Sequence, residues 1–266
     1  MGRLAETFAA ARAEGRAALI GYLPAGFPSP ADSVALILAM VESGVDIVEI
    51  GLPYSDPLMD GTAIQEAAAS ALAAGTNTDV VLDVVAGVAS SGAPTLVMSY
   101  WNPIERYGAP RFAEALAKAG GAGVITPDLT VEEAGAWEAA TDEEGLDRVF
   151  LAAPVSPDDR LDAVCRASSG FVYAASVMGV TGARDSVSSD APELVARLRA
   201  RTSLPIAVGL GVSSGRQAAE VAEYADGVIV GSAFVRCVQQ AQEPAEAARS
   251  VAALAAELAS GVRGRA

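Results

Sequence analysis

The stretch VEIGLPYSDPLMDG, residues 48–61, places two carboxylates where carboxylates are costly. Glu49 interrupts an apolar run of Ile47, Val48 and Ile50, and Asp60 ends a loop punctuated by Pro53 and Pro57. Other reactive groups are scarce. The 266 residues include no histidine, which excludes a serine–histidine triad, a cysteine–histidine dyad and the usual histidine-ligated zinc site. The single lysine, Lys118 in FAEALAKAGG, falls near the end of a predicted helix, where a cation suits the C-terminal dipole. A lysine Schiff-base mechanism is therefore left almost without a candidate. Acid–base chemistry must rest mainly on carboxylates, with tyrosine as the remaining helper.

The elements that would position these groups follow a regular order. Short runs rich in Val, Ile and Leu recur eight times: ALIGYL (18–23), DIVEIG (46–51), PTLVMS (94–99), GVIT (123–126), RVFLAA (148–153), GFVYAA (170–175), PIAVGL (205–210) and GVIVGS (227–232). Between them lie stretches such as SPADSVALILAMVESG with apolar residues at helical spacing and a serine or aspartate near the start. Eight strands alternating with helices predict an α/β fold, a single (β/α)8 TIM barrel, with a doubly wound open sheet as the rival. The barrel domain is expected to occupy residues 1–266, with an extra N-terminal helix over 1–15 and a closing helix and tail over 243–266. Alternation along the second strand puts Ile47, Glu49 and Gly51 on one face. If that face points inward, Glu49 looks into the top of the barrel, and burial makes proton exchange near neutral pH easier. The alternative is a surface or salt-bridged glutamate. Asp60 and Asp56, taken alone, read as turn chemistry; the position of Asp60 directly after the Glu49 strand raises its interest.

A second chemistry is suggested by the other half of the chain. After the last three predicted strands come MGVTGAR (178–184), VGLGVSSG (208–215) and VGSAF (230–234). Backbone amides at such strand–loop–helix junctions can cradle a phosphate, and barrels frequently place phosphate after strands seven and eight. Each motif could also be an ordinary tight turn.

Eighteen basic against thirty-three acidic residues give a net charge of −15, which argues against nucleic acid and anionic membrane as partners. The opening MGRLAETFAAARAEGRAAL reads as an amphipathic helix without the apolar core of a secretory signal. No stretch approaches the roughly 20 apolar residues that span a bilayer. Cys165 and Cys237 lie far apart, read as buried structural thiols, and suit a reduced cytoplasmic compartment.

The motif VEIGLPYSDPLMDG resembles the signature of the tryptophan synthase alpha chain family. GYLPAGFPS, SYWNPIERYG, GVITPDLTVEEA, YAASVMGVTGAR and VGLGVSS followed by IVGSAF continue the likeness over roughly residues 17 to 240. Met59, Thr62 and Phe27 depart from the family's common alanine, proline and aspartate, and bear on loop packing rather than on the carboxylates. The resemblance implies a lyase that cleaves indole-3-glycerol phosphate to indole and D-glyceraldehyde 3-phosphate. By the same resemblance Glu49 shuttles protons and Asp60 accepts a hydrogen bond from the indole N–H. Tyr22, Tyr100 and Tyr173 are expected at the indole, and Gly182, Gly211, Gly231 and Ser232 at the phosphate. Thr181 is expected to meet the Asp60 loop. Asp56, Asn102, Pro103 and the loop over 102–108 are expected to contact a beta chain in an α2β2 heterotetramer, with pyridoxal phosphate held only by that partner and no metal required.

Three rivals remain open on the sequence. A stand-alone lyase would turn over without a beta chain, and a non-catalytic regulatory barrel that binds a sugar phosphate would yield no indole. A phosphosugar isomerase on the same scaffold would also release none.

Overall fold

The computed structural model of the chain describes residues 2–175, 190–209 and 211–264. Nine parallel strand segments are present among the described residues: β1 (Ala18–Pro24), β2 (Ile47–Gly51), β3 (Thr95–Met98), β4 (Gly123–Ile125), β5 (Asp147–Val149), β6 (Leu151–Ala152), β7 (Val172–Ala175), β8 (Ile206–Gly209) and β9 (Gly227–Val230). They hydrogen-bond in the order β5-β4-β3-β2-β1-β9-β8-β7-β6. The two ends of that order are consecutive pieces of one stretch, separated only by Phe150. The Tyr173 N–H donates to the Phe150 carbonyl at 3.1 Å, so the ladder carries on through the interruption. The fold is a (β/α)8 barrel of eight staves, the fifth broken in the middle. The single stave expected over 148–153 is thus two short segments.

Before, between and after the staves run α1 (Arg3–Ala13), α2 (Pro30–Glu42), α3 (Thr62–Ala73), α4 (Thr78–Ala89), α5 (Trp101–Tyr107), α6 (Ala109–Lys118), α7 (Gly135–Glu144), α8 (Asp158–Ala167), α9 (Asp190–Arg199), α10 (Gly215–Ala222), α11 (Ser232–Gln240) and α12 (Pro244–Arg263). Several start where local chemistry dictates. Ser29 caps α2 by accepting the Asp32 N–H, with Pro30 following at a position that needs no donor. Asn77 caps α4 and Ser214 caps α10 in the same way. Helix α5 corrects an expectation: residues 102–108 were read as a loop, yet most of them are helical. Pro103 is compatible because it falls in the first turn, where backbone N–H groups have no intrahelical partner. Gly108, at φ +95°, ends the helix.

Alternation sorts the side chains into two cores. Val48, Ile50, Val97 and Val124 pack outward against the helices. Ala18, Ile20, Ile47, Leu96, Ile125, Val149, Phe171, Ala207 and Ile229 fill the barrel's lower interior. Leu4, Phe8 and Ala11 of α1 join that inner cluster, and Phe8 meets Phe171 at 5.6 Å between ring centroids. The extra N-terminal helix therefore stoppers the N-terminal end of the barrel. Carboxylates fix strand starts around it. Asp46 accepts the Leu19 N–H at 2.8 Å and binds Arg16 through both oxygens, and Asp226 accepts the Ile206 N–H at 2.9 Å.

Cys165 is buried as expected, whereas Cys237 is half-buried at the edge of the apolar stripe of α11. Both thiols are free. Lys118 ends α6 and pairs with Glu114 one turn earlier. Among the described residues no single helix is long and apolar enough to cross a membrane.

If the stopper stabilises the barrel through its apolar contacts, Phe8→Ala should lower unfolding free energy by about 3–5 kcal/mol, as for other large-to-small core changes. Urea titration of the purified variant measures this.

Candidate active site

One cavity opens at the C-terminal ends of the strands, and it gathers most of the residues singled out above. Glu49, Asp60, Tyr22 and Tyr173 line it together with Gly211, Gly231 and Ser232. Apolar walls come from Ile64, Met98, Leu151, Ala175 and Ile229. These wall residues were not singled out in the sequence. Their signal was present in the alternation, since Met98 follows Leu96 and Leu151 follows Val149 at strand spacing.

Glu49 sits in the middle of β2, its Cα in register with Tyr22 on one side and Leu96 on the other. The inward face expected for it is the one observed. The residue is 1% exposed, and burial pushes its carboxyl up to about 8. Its Oε1 has no hydrogen-bond partner among the described residues. At neutral pH this group is mostly the uncharged acid, held without local compensation.

Asp60 occupies the end of the loop that follows β2, directly before Gly61, which caps α3. Burial raises its carboxyl to about 6, and a hydrogen bond from the Tyr100 hydroxyl works against that rise. Its backbone carbonyl accepts Gln65 Nε2 at 2.8 Å. The two carboxylates thus occupy distinct environments, one keeping its proton to higher pH than the other, the arrangement that separates an acid from an anion.

Two glycines make room for two tyrosines. A Cβ on Gly51 would lie 2.3 Å from the Tyr22 hydroxyl oxygen, and one on Gly209 would lie 2.3 Å from that of Tyr173. Burial, reinforced by the nearby carboxylates, pushes both phenols well above their usual range, so both remain protonated donors. Tyr100 is placed differently from Tyr22. It is not among the cavity-lining residues, and lies beneath the Asp60 loop with its hydroxyl accepting the Met59 N–H at 2.9 Å.

The glycine-bearing junctions meet the same cavity. Gly211 follows β8 at φ +70°, a conformation that suits glycine. Gly231 is the N-cap of α11 and, having no side chain, does not cap it, so among the described residues no side chain occupies the helix start that borders the cavity. Ser232, the first helical residue, is buried at the cavity edge. Thr181 and Gly182 lie outside the described residues. Asp56 and Asn102 are exposed and Pro103 half-buried, and Asn102 Nδ2 donates to the Tyr54 hydroxyl at 3.3 Å. Among the described residues no group of three or more His, Cys, Asp or Glu side chains is arranged to hold a metal.

The sequence and the fold have close counterparts. The family model described as tryptophan synthase alpha chain matches residues 8–263. The chain is 58% identical over 263 residues to a tryptophan synthase alpha chain of Acidothermus cellulolyticus, covering 99% of this chain and 98% of that one. It is 59% identical to the Thermobifida fusca protein of the same name, with 98% and 97% covered. Among solved structures, Mycobacterium tuberculosis tryptophan synthase superposes with a TM-score of 0.93 at 52% identity, covering 98% of each chain. A tryptophan synthase subunit alpha from Legionella pneumophila superposes at 0.86 with 32% identity and 98% of each chain covered.

The buried acid makes a stability prediction. The folded state holds the Glu49 proton to about pH 8, whereas the unfolded chain releases it near 4.5. Stability associated with that proton is present below about pH 4.5 and is lost as pH rises toward 8. Glu49→Gln removes this titration, so its stability relative to wild type should grow between pH 5 and pH 8, reaching on the order of a few kcal/mol. Thermal unfolding across that range tests the trend, and a constant offset would contradict it.

Proposed function

We infer the roles of these groups from one premise: the chain belongs to the tryptophan synthase alpha chain family. It is a carbon–carbon lyase that cleaves indole-3-glycerol phosphate in tryptophan biosynthesis by aldolase-type chemistry. The alpha chain requires no cofactor; pyridoxal phosphate belongs to the beta chain with which the family pairs.

In this reading Glu49 carries out both proton transfers. As the neutral acid it donates its proton to ring carbon 3 of the indole, giving an indolenine with positive charge on the ring nitrogen. The resulting carboxylate then takes the proton of the hydroxyl on the adjacent side-chain carbon. The O–H electrons become the new carbonyl bond, the carbon–carbon bond breaks, and its electrons restore the aromatic ring. Indole and glyceraldehyde 3-phosphate leave, and Glu49 ends as it began. Asp60, ionised above about pH 6, accepts the indole N–H and steadies the charge that develops there. A contact of this kind, in a site shielded from water, is worth on the order of 10²–10³ in rate. Tyr22 and Tyr173 flank the ring, while the amides around Gly182, Gly211, Gly231 and Ser232 hold the phosphate.

The observation that carries this assignment is the isolation of the Glu49 carboxyl. It is uncharged at neutral pH and lacks a partner for Oε1 among the described residues, yet it faces a cavity shared with a second carboxylate and with helix-start amides. A structural carboxylate would be paired. Asp56, Asn102 and Pro103 are assigned to the beta-chain face, the assembly to an α2β2 heterotetramer, and the protein to the cytoplasm. Sedimentation of the chain with a beta chain measures the stoichiometry.

Two kinetic outcomes follow. Glu49→Gln keeps size but cannot relay protons, so kcat should fall by more than about 10³ while substrate still binds. Asp60→Asn should lower kcat strongly with a modest change in KM, because its contact strengthens in the charged transition state. Indole release measured by colour assay, alongside substrate binding by calorimetry, decides both; wild-type turnover in either variant removes that residue from the mechanism.

The same two carboxyls set a pH profile. Activity needs Asp60 ionised and Glu49 protonated, so kcat/KM should be bell-shaped, falling below about 6 and above about 8. A profile flat from pH 5 to pH 9 would contradict the assignment.

A further inference from the structure

Met59 stands beside Asp60, at a position where the family commonly has alanine, and lines the same cavity as the two carboxylates. The other apolar walls sit on regular elements: Ile64 on α3, Met98 on β3, Leu151 on β6, Ala175 on β7 and Ile229 on β9. Among the described lining residues, Met59 is the one apolar side chain supplied by a loop.

That loop is tied down at this point. The Met59 N–H donates to the Tyr100 hydroxyl at 2.9 Å. Tyr100 follows β3, is 5% exposed, and packs on Tyr54 with ring centroids 5.2 Å apart. Met59 therefore enters the cavity from the β3 side.

This side matters because the cavity has two ends. Gly211, Gly231 and Ser232 follow β8 and β9, whereas Met98 and Leu151 stand on β3 and β6. Around the barrel, β1 and β9 lie on one side of the Glu49 strand and β3 lies on the other. A phosphate at the glycines and ring carbon 3 at Glu49 send the six-membered ring of the indole towards β3. With the ring N–H on Asp60, the next C–H along that edge is ring position 7.

We propose that Met59 is a specificity-determining residue that closes the indole subsite against substituents at ring position 7. The proposal rests on the reading of Asp60 as the acceptor of the ring N–H. An unbranched, polarizable thioether packs well along an aromatic edge, and alanine would leave that space open.

The reverse reaction, condensation of an indole with glyceraldehyde 3-phosphate, lets ring-substituted indoles be compared on the full chain. The measurement is kcat/KM for 7-methylindole divided by that for indole, taken within each protein, so that a general loss of activity cancels. Met59→Ala keeps the backbone N–H that Tyr100 receives and removes the thioether arm. The 7-methyl ratio should rise about 10-fold or more, the range one methyl group commands in an apolar pocket, while the ratio for 5-methylindole moves less than about threefold. Met59→Leu restores the bulk and should bring the 7-methyl ratio to within about threefold of wild type. An unmoved ratio in Met59→Ala overturns the proposal, and so does an equal rise for 5-methylindole, which is general loosening of the pocket. A Met59→Leu variant that behaves like Met59→Ala overturns it as well. Asp60→Asn is assayed in parallel with indole alone. If it is impaired and the Met59 ratios do not move, only the role of Met59 falls; if Asp60→Asn turns over normally, the acceptor reading falls and takes the ring orientation used here with it.

Discussion

An uncharged carboxyl group inside an apolar cylinder is the condition on which the rest of the site depends. Water would solvate the Glu49 anion and return its proton affinity to the ordinary range near 4.5, and the group would then be spent as an acid at neutral pH. Keeping water away requires walls without polar groups, which Met98, Leu151, Ile64 and Ile229 supply. It also requires a second carboxylate that does not pair with the first. Asp60 meets this by coming from the following loop rather than from a neighbouring strand, where it is less deeply buried and has a donor of its own. Glu49 therefore holds its proton to higher pH than Asp60 chiefly because it is the more deeply buried of the two.

The phenols show how the site is shaped without polar scaffolding. Tyr22 and Tyr173 reach across neighbouring strands over Gly51 and Gly209, and any side chain at those glycines would overlap the hydroxyl ends. Register decides this fit. Tyr22 pairs with Glu49 and Pro24 with Gly51, so the ring leans one pleat up the adjacent strand and into the gap that the missing side chain leaves.

Much of this was readable from the residues. All eight staves were placed to within a residue or two, because short β-branched runs separated by helical spacing leave few alternatives. The face of Glu49 followed from counting in twos from Ile47. What escaped the sequence is non-local or cooperative. Pro103 in WNPIERY suggests a loop, since the helix that tolerates it is recognisable only once its first turn is known. The break in the fifth stave depends on which strand pairs with each half. Gly51 and Gly209 carry no turn, and their purpose shows only when a ring from the next strand is in view. Tyr100 stood next to Tyr22 as an aromatic at a strand end, and its bond from the Met59 N–H joins two loops that no local pattern relates.

The helix at the base of the barrel has a consequence for traffic. With Leu4 and Phe8 wedged among Ile20, Ile47 and Phe171, the cylinder is a blind well rather than a tube. Nothing can pass through the base of the barrel, so the cavity fills and empties at the end where the strands finish. Whichever neighbour covers that end governs filling and emptying alike.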